Sequence, residues 1–248
     1  SQWLPKIASG EVRLQAFGVT EPGAGTDTTA LTTQAVRKGD SYIINGQKVW
    51  ISRAEHSDLM VLLARTTPRA ETTKKTEGLS VLIVDMREAR GNGLEIRPIK
   101  AMVNHNTTEI FIDNLKVPVE NRIGQEGKGF RYILDGMNAE CIIAASEAIG
   151  DARWFIRKAS TYASERVVFG RPIGKNQDVQ FPIAEAHIEI EAADLMRWRA
   201  CAEYDSGRNA GAAANMAKYL AAKASWEAAN ACLQTHGGFG FANAYDVE

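Results

Sequence analysis

Five short stretches of this chain carry residue types whose spacing supports chemistry. The first is Val19-Thr-Glu-Pro-Gly-Ala-Gly-Thr-Asp27. Its two glycines and its proline make a tight loop whose backbone N–H groups can approach a ligand closely, and Thr20 and Thr26 add hydroxyls. The simpler account is a turn between strands. It is not a Walker phosphate loop, since no Gly-Lys-Ser/Thr follows, and GxGxxG is absent. The second is Lys48-Val-Trp-Ile-Ser52, where Trp50 could stack on a flat aromatic ring and Ser52 could hydrogen-bond its edge. A tryptophan on a sheet face is the simpler account. In the third, Ser164-Glu-Arg-Val-Val-Phe-Gly170, Arg166 has the guanidinium geometry that holds a phosphate in a bidentate way, or it pairs ordinarily at a helix end. The fourth, Gln234-Thr-His-Gly-Gly-Phe-Gly-Phe241, has more glycine at a helix end than a C-cap needs, which invites close backbone approach to a ligand. His236 there reads as a catalytic group or as a hydrogen-bonded structural histidine.

The fifth is a carboxylate on an apolar stripe. Ile133, Met137, Glu140 and Ala144 share one helical face, so Glu140 is expected on or beside the buried side. Desolvation there raises a carboxylate's pKa and suits a general base. Glu147 lies on the same stripe, so periodicity alone leaves both open, and either could instead pair with a neighbouring helix.

The elements that must position these groups fall into two grammars. Residues 12 to about 124 read as β. SYIINGQKVWIS has two apolar-rich runs around Asn45-Gly46, a strong hairpin signal. DLMVLLAR, GLSVLIVDM, LEIRPIK and EIFIDNLKVP read as further strands, and TTPRAETTKKTEG as a solvated hairpin loop. The expected arrangement is a compact antiparallel barrel or sandwich. From about residue 126 the apolar residues take helical spacing. Three long helices are expected, the last Ala-rich and closing at His236-Gly237-Gly238, as part of a bundle. There is no internal repeat.

Composition narrows the function classes. Among 248 residues, Lys+Arg 29 against Asp+Glu 30 gives a net charge of −1, no footprint for nucleic acid or an anionic membrane. Apolar residues at 45% and charged residues at 24% fit a globular chain. No apolar run approaches the roughly 18 residues of a membrane helix. Cys141, Cys201 and Cys232 lie far apart without CxxC spacing, which fits buried small side chains in a reducing compartment better than a disulfide or a zinc site. The chain has no initiator Met, opens like the tail of a helix and stops at AYDVE without a helix stop signal, so a fragment of a longer polypeptide is expected.

In order, VTEPGAGTD, INGQKVWIS, VPVENRIGQEGKGF, ERVVFGRPIGKNQ and QTHGGFGF resemble the acyl-CoA dehydrogenase family over nearly the whole chain. Each piece is weak alone; their order is specific. The resemblance implies an α+β multi-domain chain. Residues 1–11 would be the tail of an N-terminal helical domain and 12–124 an antiparallel β-barrel or sandwich. Residues 125–248 would form an incomplete C-terminal four-helix bundle. It implies FAD. Phe17, Val19 and Thr20 would line the flavin, Thr26 the flavin or the acyl-CoA, and Trp50 and Ser52 would flank the ring. Arg166, Phe169 and Gln177 would contact the FAD of a partner subunit, and Gln234 and Gly238 the pyrophosphate region. A homodimer or a homotetramer follows from that sharing.

The implied reaction is α,β-dehydrogenation of an acyl-CoA thioester, with electron-transferring flavoprotein as acceptor. Most members carry the base beyond residue 248. Isovaleryl-type and long-chain-type members carry it on the first bundle helix, at the position of Glu140. Thr26, Met137, Asn138 and Cys141 would meet the substrate. Cys141 stands where the family usually has Arg, and Asn138 where it often has Asp, so substrate binding is where this chain departs. An acyl-CoA oxidase, a flavin monooxygenase or nitroalkane oxidase relative, and a non-catalytic flavin-binding fragment are the rival readings. The expected location is the cytoplasm of a bacterium or the matrix of a mitochondrion, with no membrane insertion.

Overall fold

A computed structural model of the chain describes residues 2–103 and 106–247. The outer limits of the expected domains, Ser1 and Glu248, lie outside the described residues. The chain divides into two compact units, Ser1–Leu134 and Asp135–Glu248.

The first unit opens with a short helix, α1 (Leu4–Ala8), followed by strands β1 (Leu14–Gly18), β2 (Gln34–Lys38), β3 (Ser41–Ser52), β4 (Leu59–Arg65) and β5 (Leu79–Asp85). A single helical turn, α2 (Met86–Ala89), leads to β6 (Leu94–Pro98), β7 (Thr107–Pro118) and β8 (Arg122–Ile123). Every apolar run expected as a strand is one. The sheet runs β6-β7-β3-β2-β4-β5-β8, with β1 added alongside β4. Two expectations need correcting. The strand path does not close on itself, so the sheet is not a closed barrel. It is also not purely antiparallel: β1 pairs parallel with β4, Phe17 opposite Val61, and β2 meets β4 in parallel at Gln34 and Arg65. The Thr-rich stretch 66–78 does join the antiparallel pair β4 and β5.

Asn45-Gly46 is not a hairpin turn. β3 runs straight through it as one strand of 12 residues, paired with β2 on one side and β7 on the other. The pairing with β7 slips between Ile44 and Gly46, so the dipeptide marks a bulge. Asn45 Oδ1 accepts the Asn114 N–H at 2.8 Å. A Cβ on Gly46 would come within 2.7 Å of Thr33 Cα, so glycine is there to admit the neighbouring backbone. The turn itself is Gly39-Asp40, between the paired Lys38 and Ser41, with Gly39 at φ 59°. Glycine at the first central position is what a type II′ turn requires.

The core of this unit gathers Tyr42, Ile44, Ile51, Met60, Leu62, Leu82, Ile110 and Ile112 from the sheet. A second cluster joins Leu31, Leu63, Leu79 and Val81 to Ile133, with Phe130 and Tyr132 packed against it. That packing explains why the unit ends at Leu134 rather than at the change of grammar near residue 125: the first residues of α3 (Gly129–Glu165) belong to the sheet's core.

The second unit holds the rest of α3, then a two-residue-stranded hairpin, β9 (Val167–Val168) and β10 (Arg171–Pro172), and helices α4 (Gln177–Asp205) and α5 (Gly211–His236). Of the expected four-helix bundle, three long helices are among the described residues. Ala213, Ala214, Ala217, Ala221, Ala224 and Ala228 of α5 are buried against a cluster that includes Ala186, Ile190, Ala193 and Ala200 of α4 and Ile142, Ala145, Ile149 and Ala152 of α3. Small side chains let the helix backbones approach closely. Arg153 adds an ionic tie from α3, bonding Glu191 at 3.0 Å and Asp194 at 2.9 Å on α4, and Arg197 closes on Asp194 at 2.6 Å.

Replacing Ala221 with Leu should destabilise the second unit by about 1–3 kcal/mol, because the extra carbons have no room. A urea titration followed by helical circular dichroism reads this; Ala222→Leu, at an exposed position one residue on, should change little.

Candidate functional site

The structure presents two polar groupings, one in each unit. In the first, the Thr20–Thr26 loop leaves β1 and returns against β3. Thr20 O accepts the Val49 N–H at 3.0 Å, and Glu21 and Ala24 exchange two backbone hydrogen bonds of 3.1 Å. The Lys48 ammonium, fully buried, donates to Val19 O at 3.0 Å and to Glu21 Oε1 at 2.9 Å. Glu21 also accepts from the Thr32 N–H at 2.6 Å, the Thr32 hydroxyl at 2.8 Å and the Thr33 N–H at 2.9 Å. Burial alone would raise the Glu21 carboxyl; the Lys48 charge and these hydrogen bonds outweigh it and hold it at about 2. Burial pulls the Lys48 ammonium below its usual range, and Glu21 opposes that.

Sequence reasoning passed over this pair. Its partners are far apart in the chain, and a lysine on a strand that also carries Asn45 and Gln47 does not signal burial. Arg65 is a second missed cation. It is buried and donates to the carbonyls of Thr29 at 2.8 Å, Glu77 at 3.3 Å and Leu31 at 3.4 Å, bracing the outgoing side of the same loop.

Trp50 follows Lys48 and Val49, both buried, yet is itself 60% exposed. The pairing of β3 with β7 slips between Lys48 and Ile51, and Trp50 adopts φ 61°. A bulge breaks the in-out alternation and re-aims one side chain. A left-handed tryptophan is a backbone strain, and such strain gathers at functional sites. Ser52 ends the strand, exposed. Phe17 and Val19 are half-buried against the Leu31, Leu63 and Leu79 cluster. The structure thus brings Val19 and Thr20 up to the Lys48–Trp50 stretch. Thr26 lies on the exposed part of the loop.

In the second unit, Arg166, Val168, Thr235, Gly237 and Gly238 line one groove of about 520 Å³, so two separate sequence motifs meet there. His236 also lines it but is tied down. Its Nδ1 sits 2.8 Å from Cys232 O, so that nitrogen carries the proton and donates, and the ring stacks on Tyr162 at 4.2 Å. The structural reading of His236 holds. Phe169 tips the β9–β10 hairpin at φ 52°, fully exposed, with Gly170 at φ 76° completing the turn. Gln177 opens α4, exposed, and Gln234 lines a different groove, between α4 and α5.

The expected stripe on α3 is corrected. Ile133 is buried in the sheet's cluster, but in the second unit the buried positions are Ile142, Ala145, Ile149 and Ala152. At about 100° per residue, nine residues from Ile133 to Ile142 carry the buried side half-way round the helix. Glu140 is therefore exposed, as are Met137 and Glu147, and neither carboxylate makes an ion pair among the described residues. Asn138 is half-buried, its side chain near Gly211 at the start of α5. Cys141 packs against the bundle cluster. Among the described residues no His, Cys, Asp and Glu group could hold a metal ion, and no helix is long and apolar enough to cross a membrane.

Comparison with known proteins decides the family. The family models described as acyl-CoA dehydrogenase, middle domain, and acyl-CoA dehydrogenase, C-terminal domain, match residues 16–115 and 127–248. The chain belongs to the acyl-CoA dehydrogenase family. Among curated members it is 36% identical to a glutaryl-CoA dehydrogenase of Desulfococcus multivorans, over 99% of this chain and 62% of that protein. It is 35% identical to CarC, a subunit of the caffeyl-CoA reductase–Etf complex of Acetobacterium woodii, over 100% of this chain and 64% of that one. A glutaryl-CoA dehydrogenase–glutaryl-CoA complex superposes with a TM-score of 0.90 at 36% identity, covering 99% of this chain and 61% of that one. An FAD complex of PigA superposes with a TM-score of 0.89 at 28% identity, covering 99% and 63%. The chain thus spans less than two thirds of the length of these family members.

Glu21→Gln should lower stability at neutral pH by leaving the Lys48 charge unpaired. A carboxyl held below its ordinary 4.5 stabilises the fold above that pH and loses the contribution as pH falls toward about 2. The gap between wild type and Glu21→Gln should therefore close across that window, by about 3 kcal/mol. Urea midpoints measured at steps from pH 6 to pH 2 test it; a constant gap would contradict a charged Glu21.

Proposed function

We propose that this chain carries the flavin-binding and base-bearing parts of an FAD-dependent acyl-CoA dehydrogenase, which converts an acyl-CoA thioester to the trans-2-enoyl-CoA. The observation that carries the reading is Trp50, held exposed in a strained conformation on a bulge of β3, beside a loop fixed from within by Lys48. An aromatic platform next to backbone and hydroxyl donors suits a flat heteroaromatic ring.

The donor chemistry fits FAD in both units. Gly23, Gly25 and Gly238 have no positive φ, and a Cβ at each would meet nothing within 4 Å. Neither the backbone nor internal packing needs glycine there, whereas a ligand lying on the backbone does. Arg166 beside the bare Gly237–Gly238 backbone suits a pyrophosphate. Phe17, Val19, Thr20 and Thr26 would line the ring, with Trp50 and Ser52 flanking it. Arg166, Phe169 and Gln177 would contact the FAD of a partner subunit, and Gln234 and Gly238 the pyrophosphate region. The full exposure of Phe169 supports contact with a second subunit, and so a homodimer or a homotetramer.

FAD, when bound, accepts the hydride that leaves the β-carbon. Glu140 is the proposed base: its carboxylate, open to a ligand on α3, takes the α-proton. Proton and hydride leave from opposite faces of the acyl chain, so the base and the hydride acceptor must address opposite sides of the substrate. Thr26, Met137, Asn138 and Cys141 are the proposed substrate contacts. Electron-transferring flavoprotein is the proposed acceptor, supported by the relative named as part of an Etf complex. That relative's name as a reductase makes the reverse direction a specific outcome to test.

The test is a visible spectrum of the purified protein, then anaerobic titration with a panel of acyl-CoA thioesters. A yellow protein bleached by one thioester supports the reading and names the substrate class. Bleaching by dithionite that only an enoyl-CoA reverses assigns the reductase direction, and fast reoxidation by air assigns an oxidase. A colourless protein that takes up no added FAD refutes the reading. Glu140→Gln should stay yellow while bleaching slows about 10²–10⁴-fold. Retained bleaching moves the base elsewhere. Arg166→Ala should weaken FAD binding at least about tenfold, read by ultrafiltration.

A further inference from the structure

The proposed reaction leaves the buried Lys48–Glu21 pair without a task. Its geometry assigns it one. The Val19 carbonyl points inward onto the Lys48 ammonium at 3.0 Å, and the next carbonyl, Thr20 O, takes the Val49 N–H at 3.0 Å. Both peptide planes that flank Thr20 are thereby fixed. A trans peptide carries its C=O and N–H on opposite sides. With Val19 O turned in toward Lys48, the Thr20 N–H must point away from the buried pair. Among the described residues, no hydrogen bond engages that N–H or the Thr20 hydroxyl. The ammonium is itself fixed, because Glu21 holds it at 2.9 Å and is held in turn by the Thr32 and Thr33 N–H groups. Arg65 pins the carbonyls of Thr29 and Leu31 on the far side of the loop.

We propose that Lys48 is a positioning residue, with Glu21 as the counter-ion that lets its charge be buried. Acting through the Val19–Thr20 peptide, Lys48 presents the Thr20 N–H and hydroxyl as a preformed donor pair to the polar edge of the ring cofactor beside Trp50. The inference rests on the flavin reading for its ligand, but the fixed loop is a property of the chain itself. A pair that merely stabilises the sheet would have no need to bond a loop carbonyl; this one spends one of its donors there.

The two single variants separate the roles. Lys48→Met removes the donor to Val19 O and strands the Glu21 carboxylate; Glu21→Gln strands the charge but keeps the donor. Each should lower Tm by about 10 °C. Only Lys48→Met should shift the bound flavin's absorption bands and speed hydrogen exchange at the Val49 N–H, by about tenfold, for loss of the loop's anchor. The double variant Glu21→Gln/Lys48→Met, which buries no net charge, should recover most of the lost Tm yet keep the altered bands and the fast Val49 exchange. Equal bands and equal exchange in the two single variants would overturn the proposal, as would full recovery of both in the double variant. If Lys48→Met loosens Val49 selectively in a protein that binds no flavin, the positioning stands and the flavin reading falls.

Discussion

A fully buried ammonium constrains the first unit more than any other feature. Desolvating a lysine is expensive unless its charge and its hydrogen bonds are met inside the fold. Lys48 lies on β3, one of the sheet's longest strands, and is met by a segment folded against it. That segment follows β1 and supplies a carboxylate from Glu21 and a carbonyl from Val19. The conformation of that loop is thus set by the interior of the sheet, not by its own glycines, two of which sit at ordinary backbone angles in open space. Arg65 extends the same logic with carbonyls alone. A loop fixed from beneath keeps its outer donors available without needing a ligand to order them.

What could be read from the sequence follows range. Strand runs and helices depend on local periodicity, and each one expected is present. Asn45-Gly46 misled because its local signal, tolerance of unusual backbone, serves a bulge and a close approach to Thr33 as well as a turn. The face of α3 misled because periodicity assumes one core, whereas Ile133 is buried with the sheet cluster and Ile142 with the bundle cluster. The parallel pairing of β1 with β4 and the open strand path are long-range facts that alternation does not encode. The same limit hid Glu21 and Lys48: each residue was visible inside a motif, but their pairing depends on the fold. At the site, the motifs that resemble the family were legible as a series, and the meeting of Arg166 with Gly238 in one groove needed the structure.

The second unit solves its packing differently. α5 presents alanine at nearly every buried position, so its contact with α4 is made by backbone proximity rather than by interlocking large side chains. Such a contact leaves little slack for rotation, since any turn of α5 would drive a larger residue into the seam. The end of α5 inherits that rigidity. His236, stacked on Tyr162 and bonded to Cys232 O, locks the last turn just before Gly237-Gly238, where the chain tightens into a short 3-10 helix.

The two units then use one device twice. In each, an aromatic residue is held at positive φ and pushed into solvent: Trp50 on the β3 bulge and Phe169 on the β9–β10 turn. Both features are unfavourable for an isolated chain, since a left-handed non-glycine backbone costs of order 1 kcal/mol or more and exposure forgoes burial of a large ring. Trp50 stands beside the Lys48 anchor, and Phe169 forms the tip of the β9–β10 hairpin that follows α3. Strain persists only where the surroundings over-determine it. An aromatic surface that is strained, exposed and rigidly backed has already lost the freedom that binding would otherwise remove, so a flat ligand docking on it meets a smaller entropic cost than on a mobile side chain.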